Sequence, residues 1–162
     1  MLVFKVHGNR AALRAVGLEA VLVDHDTMTV ASLDPPDLRT IDVEVAGVAA
    51  LLVAKAHKIH DRIISGRADS LSDKDAADVF RIRQTTSPND VGATLIGLRN
   101  NKFAGEPTET AINYISQLFG RRTGERVVIA QRALHLAIPE ARITTLCNSY
   151  IGQLIKVSGA GV

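Results

Sequence analysis

Six side chains between Lys55 and Asp78 have the types and the spacing to act on a ligand. Lys55, Lys58 and Arg62 recur at i, i+3 and i+7 of a predicted helix, so they leave one side of it as a compact cationic patch. Lys74, Asp75 and Asp78 follow on a second predicted helix, where the two carboxylates share a face. Gathered in one helical hairpin, these groups either stay available to a ligand or form a salt-bridge network that zips the two helices together.

Other residues offer weaker chemistry. Asp24 and Asp26 form an Asp-x-Asp pair at a predicted strand end, and Asp42 and Glu44 share one strand face; either pair could place two oxygens on a hard cation. Against that, the run Asp24-His25-Asp26-Thr27 reads as turn chemistry, in which Asx side chains bond nearby backbone N–H groups. Asp42 and Glu44 read as the wet face of an antiparallel strand. His57 and His60 sit at i and i+3 and could begin a zinc site, but no third ligand follows at suitable spacing, so a solvated helix face is expected. Cys147 lies in an apolar helical run and reads as a structural thiol. Arg121, Arg122 and Arg126 form a basic loop, GRRTGE, that reads as solvated.

Two helices must position the charged cluster. The first opens after Gly47, with Leu51, Leu52, Ile59 and Ile63 expected as its apolar stripe. The second has Ser72 as N-cap and Asp75 three residues on, an approximate capping box, and runs to Arg83. The linker SGRADSL is short, so the helices are expected to be antiparallel neighbours. Upstream, Leu2–His7, Glu19–Val23 and Arg39–Val45 read as strands, with Met28–Leu33 as a further element ended by Asp34 and two prolines. In the clearest of them Ile41, Val43 and Val45 alternate with Thr40, Asp42 and Glu44, which predicts a half-buried strand. Downstream, helices are expected from Pro88 to about Leu98, Pro107 to Phe119, Glu125 to Leu136 and Ala141 to Val157.

The run VAALLVAKAHKIHDR followed by SDKDAADVFRIR resembles the helices that follow the catalytic strands in the nucleotidyltransferase superfamily, particularly its minimal and abortive-infection-type members. By that resemblance Lys55 matches a helix lysine, Lys74 a basic position, and Asp75 and Asp78 two acidic positions that support nucleotide phosphates. Relatives of this kind transfer a nucleotide from an NTP to an acceptor hydroxyl, using Mg²⁺ held by an Asp-x-Asp strand and a third carboxylate, with a Gly-Ser turn ahead of the pair, all upstream of the helices. Residues 1–45 contain no Gly-Ser pair. The resemblance therefore implies a C-terminal portion without the catalytic motif, with no cofactor in this chain and with Mg²⁺ and NTP implied only for intact relatives. The alternative is a non-catalytic interaction or regulatory module, for example in a toxin-antitoxin-like system.

The bulk properties bound these readings. At 162 residues with 46% hydrophobic content the chain suits one folded domain with an appendage. Aromatics are 4% and Trp is absent, so Leu, Ile, Val and Ala must build the core. Nineteen basic against 17 acidic residues is too balanced to indicate nucleic acid as a partner. A single cysteine, the lack of a signal-peptide run in Met1–His7 and the absence of any run long enough to span a membrane predict a cytoplasmic protein. The expected fold is α+β: a small, mostly antiparallel sheet in residues 1–45, then a helical assembly of five or six helices in residues 46–162. Strands left with an open edge predict a homodimer, with a further protein partner possible.

Overall fold

The computed structural model describes residues 15–65, 81–82, 84–119 and 140–159. Its element order is a 3₁₀ segment (Leu18–Leu22), strands β1 (His25–Ala31) and β2 (Thr40–Ala46), and helices α1 (Val48–Ile64), α2 (Pro88–Arg99), α3 (Gly105–Phe119) and α4 (Glu140–Ser158). The fold is α+β as expected, with a two-stranded antiparallel sheet and four α-helices among the described residues, where five or six had been expected. Most of the predicted helix from Ser72 to Arg83, all of that from Glu125 to Leu136, and the predicted strand Leu2–His7 lie outside the described residues.

The hairpin forms where its turn chemistry requires it. Asp37 N donates to the Asp34 carbonyl at 2.9 Å across Pro35-Pro36, and Ser32 Oγ accepts from Asp34 N. The Arg39 guanidinium, and then the Arg39 backbone N–H, hold the Asp37 carboxyl below the usual carboxylate range, and Asp37 in turn raises Arg39. This brace is therefore complete at neutral pH and is lost as pH falls through the lowered value. Beyond the turn, Ala31 faces Thr40 and the register runs back to His25 opposite Ala46.

The predicted strand Glu19–Val23 is a 3₁₀ segment instead. Gly17, at φ 97, turns the chain sharply, the Glu19 carboxylate accepts from Gly17 N at 2.7 Å, and Val23 N and Asp24 N both donate to the Ala20 carbonyl. These local bonds, with Ala20 fully buried in the core cluster that includes α1, outweigh the β-propensity of its two valines.

Helix termini follow their sequence signals. Ser87 accepts from Asn89 N with Pro88 in the first turn of α2, and Asn101 Oδ1 accepts from Phe103 N and Ala104 N where the chain re-enters α3. α3 thus begins at Gly105, two residues before the predicted Pro107. Gly159 follows α4 at φ 71, the left-handed position that closes a helix, and Arg99 donates to the Ser158 carbonyl at 2.8 Å.

The core lies where α1 packs on α3 and α2 packs on α4. Leu52, Val53 and Ile59 meet Leu95, Leu98, Ile112, Ile115, Ile151 and Leu154, all buried. The stripe expected for α1 is corrected here: Leu52 and Ile59 are inside, but Leu51 is 38% exposed. Leu51, Lys55, Lys58 and Arg62 stand at i, i+4, i+7 and i+11, so Leu51 belongs to the cationic side of the helix.

Candidate interaction surface

Asp24 binds a helix end. Its Oδ2 accepts from Ala50 N at 2.7 Å and its carbonyl accepts from Gly47 N at 2.8 Å, so it caps α1 from outside the helix. A cap of this kind stabilises by about 1 kcal/mol. It replaces the local turn expected for Asp24, and Gly47 is small because a Cβ there would meet the Asp24 carboxylate. Asp26 is exposed on β1, opposite Val45. Asp42 and Glu44 are exposed on β2 and accept from Thr29 Oγ1 at 2.6 Å and Thr27 Oγ1 at 2.8 Å. No group of three metal-binding side chains occurs among the described residues.

The expected solvated face for His57 is also corrected. His57 is 5% exposed, its Nε2–H donates to the Pro107 carbonyl at 2.8 Å, and its ring stands edge-on to Tyr114 at 5.4 Å. His60 stacks on the other side of the same cluster, 3.5 Å from the Tyr114 ring at 11°. The spacing of Ala50, Val53 and His57 at i, i+3 and i+7 was the signal that His57 belongs to the buried stripe. The histidines clamp α1 to α3. Beside them is a cleft of about 590 Å³ bordered by Glu19, Asp61, Lys102 and Glu106. Its innermost polar groups already serve the fold, since Glu19 holds the Gly17 turn and His57 holds Pro107.

On α1, Lys55 and Arg62 are half-buried and Lys58 is exposed, and none of the three is without a partner. Lys74, Asp75 and Asp78 lie outside the described residues.

Where the alternation from Thr40 to Val45 predicts a half-buried strand, the hairpin carries, among the described residues, an apolar surface that no other element covers broadly. Its two faces differ sharply. One carries Thr27, Thr29, Asp42 and Glu44, with His25 Nε2 3.4 Å from Glu44. The other carries Met28, Val30, Ile41, Val43 and Val45, with Met28 directly opposite Val43, Val30 opposite Ile41, and Asp26 beside Val45 at one end. Met28 is 54% exposed and Ile41 63%, and among the described elements none packs broadly on either strand except the other. The exposed fractions amount to an apolar patch on the order of 400 Å², the size of the largest patch on a typical soluble monomer, which is often functional.

Among the described helices none is long and apolar enough to cross a membrane. No family model, no curated protein and no solved structure matches the chain.

Proposed function

We propose that this chain is a non-catalytic protein-interaction module that works as a homodimer assembled through its hairpin. The observation that carries this reading is the uncovered apolar face of β1 and β2. Two strands alone are marginal in water, and three or more with an apolar face hold together. A second copy supplies the missing strands, and the joined hairpins offer a largely apolar platform, with one Asp26 carboxylate from each copy, to a protein partner. The nucleotidyltransferase-like alternative draws its support from the sequence resemblance at Lys55, Lys74, Asp75 and Asp78, and would make Lys55 on α1 a phosphate-binding residue.

Sedimentation equilibrium at micromolar concentration is expected to give about twice the 17.4 kDa chain mass. Met28→Lys, which sets a charge on the apolar face without removing a core contact, is expected to return a folded species of single-chain mass. A single-chain mass for the unaltered protein up to about 100 μM would sink the proposal.

A further inference from the structure

The direction of the backbone groups says which edge of the hairpin is open for pairing. Gly47 N donates to the Asp24 carbonyl and Ser32 N donates to the Arg39 carbonyl, at the two ends of one continuous register. In an antiparallel ladder the residues that exchange bonds alternate, so Asp26, Met28 and Val30 turn their N–H and C=O groups toward β2. His25, Thr27, Thr29 and Ala31 then turn theirs outward along the free edge of β1. By the same parity Thr40, Asp42, Glu44 and Ala46 turn theirs outward along the free edge of β2.

The two edges are not equally able to pair with a copy of themselves. On β2, two-fold antiparallel pairing must match outward residues with outward residues. Every such register that overlaps five or more residues sets Asp42 or Glu44 directly against Asp42 or Glu44 of the copy. Like charges directly opposite destabilise a sheet, so β2 is a guarded edge. On β1 the register centred on Met28 sets Thr27 opposite Thr29, Asp26 opposite Val30 and Met28 opposite itself, with no like-charge pair. Pairing β1 with β2 of the next copy is heterologous and gives a ring or an open filament, not a two-fold dimer.

We infer that two copies join edge to edge through β1, antiparallel about a two-fold axis at Met28, to form one four-stranded sheet in the order β2, β1, β1, β2. This rests on the homodimer proposed above and specifies its geometry. Met28 meets its counterpart across the axis with Val30 opposite Asp26 on either side, and the acidic β2 strands become the outer edges, where charge keeps further copies away.

Cross-linking tests the register. Residues opposite one another at a non-hydrogen-bonded position lie about 4.5 Å apart at Cα, within disulfide reach. Mild oxidation of the full-length Met28→Cys variant is expected to yield a covalent dimer, with peptide mapping placing the bridge at position 28 and not at Cys147. Val43→Cys, at the centre of β2, is expected to stay single. Thr29→Pro removes an outward N–H of β1 without breaking a bond to β2 and is expected to abolish the dimer. Thr29→Val, which loses the same hydroxyl but keeps the N–H, and Thr40→Pro, on the other edge, are expected to keep it.

A dimer that cross-links through position 43 and not 28 would overturn the β1 register while leaving the homodimer standing. A chain that stays single at all concentrations would overturn both. So would a single chain whose Thr27 and Thr29 amides are protected from exchange, because that edge would then be covered from within the same molecule.

Discussion

Leu95→Ala is expected to lower stability by about 3 kcal/mol, within the range of 2–5 found when a buried leucine is truncated. Leu95 is fully buried on α2, the helix that packs against α1, α3 and α4, so its side chain sits among rigid neighbours on three sides. The site has little freedom to collapse, and the cost of the void adds to the lost transfer energy. Urea unfolding followed by far-UV circular dichroism should show a lower midpoint with an unchanged slope. The thermal midpoint should fall by roughly 6–12 °C in a chain of this size. Leu51→Ala, on the cationic side of α1, should cost less than about 1 kcal/mol. Similar losses for the two substitutions would mean that the core is not where α2 meets the other three helices.

Gly17→Ala should cost about 3 kcal/mol although it adds a single methyl group. Two effects combine. At φ 97 a side chain is held in the left-handed region, at a penalty of roughly 1–2 kcal/mol. The new Cβ would also lie 2.6 Å from His57 Cδ2 and 3.3 Å from Ala54 Cα. Neither neighbour yields easily, since Ala54 Cα is helix backbone and the His57 ring is fixed by Pro107 and Tyr114. Gly97→Ala provides the opposite sign in the same molecule: a Cβ there meets nothing within 4 Å, and alanine in the helix should add roughly 0.5–1 kcal/mol. Chemical denaturation of the pair measures the contrast. A neutral Gly17→Ala would mean that the 3₁₀ segment is not clamped against α1.

Much of this architecture was legible because it is local. Gly47 ahead of α1, Ser87-Pro88 ahead of α2 and the strict alternation from Thr40 to Val45 each act within a few residues, and each element stands where those signals put it. Most of the misreadings involve contacts with other parts of the fold. Val21 and Val23 favour a strand, but Gly17 and Glu19 fix a tight turn whose buried Ala20 joins the core. Asp24 has the composition of an Asx turn, yet its carboxylate finds Ala50 N, 26 positions on. His57 looked polar, and only the carbonyl of Pro107, brought by α3, makes its burial tolerable. The apolar face of the hairpin was visible in the alternation. Its incomplete covering was expected from strands left with an open edge, and the exposure of Met28 and Ile41 agrees with it.

For the candidate site this means that the charged helix was visible from residue types, and the interaction surface as strands expected to keep an open edge and an incompletely covered face. Lys55, Lys58 and Arg62 share one side of α1 as their spacing required, since helical geometry alone decides it. The hairpin surface depends on what the rest of the chain leaves bare.

The most direct test of the assembly claim is amide hydrogen exchange read residue by residue across the hairpin at several protein concentrations. If copies pair through β1, exchange at Thr27 and Thr29 should slow as concentration rises, while Asp42 and Glu44, on the outer edge, continue to exchange fast. Fast exchange at Thr27 and Thr29 at every concentration, or slowing confined to Asp42 and Glu44, would contradict it.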